Sequence, residues 1–250
     1  MNKTNKVAIV TGASQGIGAA TAKLLALRGV RVVVNFVSNM ERAQAVVSDI
    51  QNTGGEAISI QADVRNSEEV ANMVHQIQGY WGSIDVLVCN AAMPFVKKSF
   101  NDITWEEFAQ KLNDELKATF LISKEVLPIM VQQAAGHIIY VSSGLSKNPL
   151  APGFIAHGTA KSALNSFAKY IAKEYGPNGI KVNVVAPGMV ETERTVNQPK
   201  QFREHLASAT PLQRVAKPED VARVIAFYAD DDSSFVTGVY TPVDGGLSMD

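Results

Sequence analysis

The chain has 250 residues, 46% of them hydrophobic and 19% charged, with 18 Gly and 10 Pro. This excludes a disordered, collagen-like or coiled-coil protein and fits one sizeable α/β core. A formal net charge of −1 gives no electrostatic drive toward nucleic acid or an anionic membrane, and the single Cys89 builds neither an internal disulfide nor a cysteine-rich zinc site. The expectation is a single cytoplasmic domain over residues 1–250, with no nucleic-acid or membrane partner and no apolar run near the ~20 residues of a membrane span.

Short β-branched runs alternate with stretches of helical character from the first residues onward. Strands are expected near Val7–Thr11, Val30–Asn35, Ala57–Gln61, Asp85–Cys89, His137–Val141, Lys181–Val185 and Val239–Val243, several apolar enough to be buried on both faces of a parallel sheet. Asn66 precedes Glu69 by three residues and Thr104 precedes Glu107 by three, the spacing of capping boxes that open helices. The acidic Asp230-Asp231-Asp232 reads as a solvated turn. Together these predict an α/β fold, a Rossmann-type doubly wound parallel seven-stranded sheet with helices on both faces. Ligands are expected at the carboxyl ends of the strands, where the strand order reverses.

The first strand runs directly into Gly12-Ala13-Ser14-Gln15-Gly16-Ile17-Gly18 and then a helical stretch through Arg28. Glycine permits the tight turn and lets backbone amides approach a pyrophosphate, while the following helix presents unsatisfied N–H groups with positive partial charge. Strand, glycine turn and helix in that order predict a dinucleotide cradle.

The spacing Thr11-Gly12-x-x-x-Gly16-x-Gly18 resembles the short-chain dehydrogenase/reductase superfamily, and further segments agree in order. They are Asp63-Val64, Cys89-Asn90-Ala91-Ala92, Val141-Ser142-Ser143, Lys161, Pro187-Gly188 with Thr192, and Asp244-Gly245-Gly246. Within the superfamily the chain is most similar to bacterial 3-oxoacyl-carrier-protein reductases. The resemblance implies a nicotinamide cofactor and a homo-oligomer, usually a tetramer. It also implies that Asp63 and Val64 flank the adenine, Asn90 and Ala91 the adenosine ribose and the central sheet, Val190 the nicotinamide carboxamide and Thr192 the pyrophosphate, with Pro187 and Gly188 also among the cofactor-binding residues.

An acidic residue after the second strand would hold the ribose 2′-hydroxyl of NAD and repel a 2′-phosphate. This chain instead has Asn35-Phe36-Val37-Ser38-Asn39. NADP is therefore favoured, with Ser14, Asn35, Ser38 and Arg42 as candidate phosphate donors. Gln15 stands where NADP-using relatives often carry a cation, so NAD stays open.

The family's chemistry uses Tyr-x-x-x-Lys, a serine after the fifth strand and an asparagine in an earlier helix. Here His157 occupies the tyrosine position, with Lys161 four residues on and so on the same helix face. Glu115 falls at the asparagine position, with Asn113 two residues before it, and Ser143 keeps the serine's place. The segment from Ser143 to His157 is one residue longer than in the similar reductases. Reduction of a carbonyl places negative charge on oxygen, which needs a proton and aimed hydrogen bonds. Histidine begins near ~6.5 and a neighbouring lysine drives it neutral, whereas a carboxylate favours the imidazolium. Glu115 and His157 are therefore expected to be compensating replacements, Glu115 supporting an imidazolium acid and joining Lys161 in proton supply. Such a donor weakens above about neutral pH.

His75, His137 and His205 lack metal-ligand spacing, and no metal is expected. The polar, turn-interrupted residues 193–217 are expected to form a substrate lid, and Lys97, Lys98 and Arg203 are candidate contacts for a phosphopantetheine or an acidic carrier. The last segment, from Tyr240, is expected at a subunit contact. Three functions fit: an NADP-dependent reductase of a small or carrier-bound carbonyl such as a 3-oxoacyl thioester, a dinucleotide-binding scaffold or regulatory subunit without turnover, and a lyase or isomerase using His157 and Glu115.

Overall fold

The computed structural model describes residues 5–150, 152–193 and 195–249. Seven strands, β1 (Val7–Val10), β2 (Arg31–Phe36), β3 (Ala57–Gln61), β4 (Val86–Cys89), β5 (Gly136–Val141), β6 (Ile180–Pro187) and β7 (Tyr240–Val243), form one parallel sheet. Their order across the sheet is β3-β2-β1-β4-β5-β6-β7. The helices are α1 (Gly16–Leu27), α2 (Met40–Asn52), α3 (Ser67–Trp81), α4 (Trp105–Gln133), α5 (Ile155–Tyr175), α6 (Lys200–Ala209) and α7 (Pro218–Tyr228).

The central strands are continuously apolar because both of their faces are buried. In β1, Val7 and Ile9 enter the core formed with α3, α4 and α5, while Ala8 and Val10 enter the opposite core with α1, α2 and α7. All four are fully buried, and a Val or Ile side chain so placed contributes roughly 1.5–3 kcal/mol. From β1 the chain steps through β2 and β3 to one edge, then returns to lay β4 on the other side of β1. The loops after β1 and β4 therefore diverge and open a cleft at the carboxyl ends of those strands.

Helix starts follow the cap residues. Thr104 accepts from the Glu107 amide at 3.2 Å while Glu107 accepts from the Thr104 amide at 3.1 Å, a complete capping box that opens α4. At α3 the device differs. Asn66 accepts from the amides of Glu68 and Glu69, but the Glu69 carboxylate turns to the Asp63 amide at 2.7 Å and the Asn66 side-chain amide at 2.7 Å. That arrangement fixes the loop after β3 to the helix behind it. The acidic turn near Asp231 is solvent-exposed and pairs with Lys6 at 2.9 Å. No helix among the described residues is long and apolar enough to cross a membrane.

Candidate active site

The turn after β1 is built for close approach by a ligand's backbone-facing side. Gly12 has φ +62°, and a Cβ there would stand 2.9 Å from the Ala91 Cα. A Cβ on Gly18 would meet the Asn90 Nδ2 at 2.5 Å and the Gly12 carbonyl oxygen at 2.6 Å. Thr11 and Asn90 lock the turn to the end of β4. The Thr11 Oγ1 accepts from the amides of Asn90 (2.9 Å) and Ala91 (3.0 Å), and the Asn90 side-chain amide donates to the Thr11 and Gly12 carbonyls at 2.9 and 3.2 Å. The N-cap of α1, Gln15, makes no side-chain capping bond, so no side chain of its own cap competes for the first-turn amides at Gly16, Ile17 and Gly18. A glycine-walled cradle beside such a helix start fits the pyrophosphate of a dinucleotide. Thr192 lies over the same turn, its Cγ2 3.2 Å from where a Gly16 Cβ would be. Thr195 holds it there by accepting from the Thr192 amide (2.8 Å) and donating to the Val190 carbonyl (2.6 Å).

Beyond β2 one expectation is corrected. Asn35 is buried, its Oδ1 accepts from the Gly12 amide at 3.3 Å, and its amide protons go to the carbonyls of Ile60 (3.4 Å) and Ala62 (3.0 Å). Both side-chain donors are thus engaged inside the sheet, and Asn35 braces the Gly12 turn rather than donating to a phosphate. Ser38 is exposed and Ser14 partly exposed. Arg42, in the first turn of α2, places its guanidinium on the Gln15 side-chain oxygen. A cation therefore reaches the position at which Gln15 itself has none.

Around the expected adenine end, Asp63 is gripped by Arg65, whose Nη2 lies 2.7 Å from Oδ2 and whose amide donates to Oδ1 at 2.9 Å. Arg65 also reaches Asp114 at 3.1 Å. The Arg65 hydrogen bond holds the Asp63 carboxyl below the usual carboxylate range despite partial burial. Val64 is buried beside it. On the other side of the cleft, Pro187 ends β6, Gly188 packs so closely on Asp244 that a Cβ would stand 2.9 Å from the Asp244 Cβ, and buried Val190 bridges to Ala216.

The second cluster joins the ends of β4 and β5 to α4 and α5. His157 and Lys161 lie one turn apart at the start of α5, and Gly158 brings that turn against β5's exit, because a Cβ there would be 2.9 Å from the Leu145 carbonyl oxygen. Ser143 is partly exposed and accepts from the Leu145 amide at 3.2 Å. Neighbouring Ser142 is buried, with its hydroxyl toward the Lys161 carbonyl at 3.4 Å. The buried Lys161 Nζ donates to the Val141 carbonyl at 2.7 Å and to Glu115 Oε1 at 2.6 Å. Asn113 is exposed, whereas Glu115 is buried and faces the cleft residues.

Two residues that sequence reasoning misses complete the cluster. Lys111 is buried and donates to Glu115 Oε2 at 2.5 Å and to the Met93 carbonyl at 2.9 Å. Phe95 stacks on His157, with centroids 4.7 Å apart and planes 23° apart, and contacts Phe154 at 5.9 Å. Lys111 was discoverable from its position four residues before Glu115 on one helix face. Phe95, in the loop after β4, carries no such signal.

The electrostatics revise the expected division of labour. Burial pushes the Glu115 carboxyl up, but Lys161 and Lys111 together outweigh that and hold it below its ordinary value. Burial lowers the Lys111 ammonium against the opposing pull of Glu115. Burial, then the charges of Lys161 and Lys111, take His157 down to about 4, with Glu115 opposing weakly. His157 is thus a neutral imidazole at neutral pH, with its Nδ1 buried and without a hydrogen-bond partner. The expectation that Glu115 sustains an imidazolium is overturned, because both carboxylate oxygens are taken by lysines. Burial also raises the Cys89 thiol, which is consistent with a packing role.

Comparison with known proteins agrees with this architecture. The family model described as Enoyl-(Acyl carrier protein) reductase matches residues 12–248. A 3-oxoacyl-[acyl-carrier-protein] reductase of Synechocystis sp. is 39% identical over 249 residues, covering 98% of each chain. A cis-4-hydroxycyclohexanecarboxylate dehydrogenase of Sinomonas cyclohexanicum is 36% identical over 243 residues, covering 97% of this chain and 96% of its own. The crystal structure of a dehydrogenase/reductase from Sinorhizobium meliloti superposes with a TM-score of 0.90 at 33% identity, covering 98% of this chain and 95% of that one. With its seven-stranded parallel sheet and glycine cradle, the chain belongs to the short-chain dehydrogenase/reductase superfamily of NAD(P)-dependent oxidoreductases.

Proposed function

We propose that the protein is an NADP-dependent reductase of a carbonyl substrate, with a 3-oxoacyl thioester as the first candidate, working through an imidazole in place of the family's phenol. The observation that carries this reading is the buried Lys161 ammonium one turn after His157. It uses two of its three donors on Glu115 and Val141, leaving one for a ribose hydroxyl. A reduced nicotinamide held in the cleft would supply the hydride for the carbonyl carbon. Ser143 and the N–H of His157 donate hydrogen bonds to the carbonyl oxygen and stabilise its developing negative charge. A neutral imidazole can serve as the electrophile for such an oxygen. His157 passes its proton to that oxygen and recovers one from water, completing the alcohol.

The cradle of Gly12, Gly16, Ile17 and Gly18 holds the pyrophosphate with Thr192. Asp63, Val64, Asn90 and Ala91 hold the adenosine, and Pro187, Gly188 and Val190 the nicotinamide. Arg42, supported by Gln15, Ser14 and Ser38, recognises the 2′-phosphate. Phe95 and Phe154 form an apolar wall for the body of the substrate. Residues 193–217 act as the lid, with Arg194 outside the described residues. In support, no residue of α6 is fully buried even though the helix carries Phe202 and Leu206. Exposed Trp105 and Phe120 on α4 and Tyr170 on α5 are apolar surface for a homo-oligomer, a tetramer by family resemblance.

A second reading, a dinucleotide-binding scaffold without turnover, is favoured by one observation, the orphaned Nδ1 of a neutral His157. The two are separated by titrating NADPH and NADH into the protein and then following single-turnover loss of the reduced nicotinamide absorbance. The substrates are 3-oxoacyl thioesters and cyclic ketones; cis-4-hydroxycyclohexanecarboxylate is tested in the oxidative direction with NADP+ or NAD+, where turnover appears as a gain of that absorbance. The reductase binds NADPH more tightly than NADH and oxidises it on adding at least one ketone. Binding with no oxidation by any of them supports the scaffold.

A further inference from the structure

We propose that Lys111 is a positioning residue of this site. With Glu115 and Lys161 it forms a buried row of two ammonium groups around one carboxylate, and the net charge of +1 sets the field at His157 and at the substrate oxygen beside it. The functional meaning rests on the reductase reading; the row itself rests on the packing of α4 against α5.

Each carboxylate oxygen of Glu115 takes one lysine, Lys111 at 2.5 Å and Lys161 at 2.6 Å, so the carboxylate is a hub rather than a terminus. All three side chains are nearly free of solvent contact. The outer ends of the row close on the backbone carbonyls of Met93 (2.9 Å) and Val141 (2.7 Å). A carbonyl accepts a hydrogen bond but has no proton to pass on, so these contacts give the row no outlet as a proton wire. At His157 the row acts through its charge, at short range and among side chains almost free of solvent contact.

The charge count explains why Lys111 accompanies Glu115. A glutamate at the family's asparagine position, paired with Lys161 alone, would cancel the one positive charge available to a developing alkoxide. Adding Lys111 restores it. The geometry also carries that field to the reacting end of the site. The Lys111 ammonium lies 5.7 Å from the centre of the Phe95 ring, and the same ring carries the stacked imidazole of His157. The charged groups acting on His157 are Lys161 on its own helix and Lys111 and Glu115 on α4, while the packed Phe95 brings no charge.

The test is an imidazole titration by NMR on full-length protein with labelled histidine, with the His157 signal assigned by its loss in His157→Gln. Lys111→Met leaves the row neutral and moves the His157 midpoint upward by about one pH unit or more from about 4. Glu115→Asn leaves two unopposed ammonium groups and moves it downward. The double variant Lys111→Met with Glu115→Asn returns to a single positive charge at Lys161, and its midpoint lies nearer the parent than either single variant. It also removes the buried pair together, so it keeps the test available where a single variant does not fold. Lys111→Arg, which keeps the charge, restores the parental midpoint.

A midpoint unmoved by Lys111→Met, or a double variant no closer to the parent than the single variants, overturns the inference. Titration shifts of the expected signs in a protein that turns over no ketone support the row and count against the reductase reading. Turnover with unchanged titration overturns the role of Lys111 alone.

Discussion

The imidazole of His157 lies on the ring of Phe95, with centroids 4.7 Å apart and planes inclined by 23°. Phe95 covers one face of the imidazole and contributes to its burial. With Lys161 and Lys111 adding like charge nearby, the neutral form is the one the fold selects.

The first consequence concerns rate against pH. A histidine held down to about 4 does not titrate across neutrality. The kcat/KM for carbonyl reduction is therefore expected to be flat between about pH 6 and about pH 8, where an unperturbed histidine would give an inflection. A pH profile with a histidine-type step near neutral would contradict this, and would return the site to the imidazolium donor that the sequence alone suggests.

The same depression is a stability statement. The unfolded chain takes up a proton at His157 near 6.5 and the folded chain only near 4, so the unfolded state binds more protons between those values. Stability is fully retained above about pH 6.5 and falls as pH drops toward 4, by about 3 kcal/mol across the window. His157→Gln lacks this loss. Denaturant unfolding at neutral pH and at about pH 4.5 measures it as the change in the gap between parent and variant. A gap that stays constant would show that the histidine is not depressed.

Gly18→Ala tests the cradle. The added Cβ would stand 2.5 Å from the Asn90 Nδ2 and 2.6 Å from the Gly12 carbonyl oxygen, so either the Asn90 lock or the turn must move. Overpacking of this kind costs typically 1–3 kcal/mol. Calorimetric titration is expected to show dinucleotide affinity reduced at least about tenfold, with a lower unfolding midpoint. Unaltered affinity would place the dinucleotide elsewhere.

Arg42→Ala tests cofactor choice. The guanidinium rests on Gln15 at the start of α1, and no carboxylate stands among residues 35–39 at the end of β2 to repel a phosphate. Loss of one charge-assisted contact, worth about 1.5–3 kcal/mol, raises the KM for NADPH by about tenfold to a hundredfold and leaves NADH nearly unchanged. Equal effects on both cofactors would remove Arg42 from phosphate recognition.

Much of this architecture is legible from the residues, for a physical reason in each case. The strands are short β-branched runs, the inner ones buried on both faces, and all seven appear in the structure with ends moved by no more than two residues. The cradle is legible because only glycine tolerates the approach of Ala91 and Asn90. What local pattern does not reveal is how polar side chains are used up. Asn35 looks like an exposed strand-end donor, yet its amide is fully engaged by the neighbouring strand at Ile60 and Ala62. Glu115 and His157 look like an acid–base couple, yet a third residue, Lys111, stands one turn away and turns the carboxylate from the histidine to the lysines. Phe95 acts through a loop contact that no periodicity encodes.

The most direct measurement of the central claim is single-turnover oxidation of bound NADPH by an accepted carbonyl substrate, compared between the parent and His157→Phe at matched cofactor occupancy. If the imidazole stabilises the oxygen, the variant binds NADPH as the parent does while its hydride-transfer rate falls by about a hundredfold or more. Equal rates in the two proteins would show that His157 takes no part in the reaction.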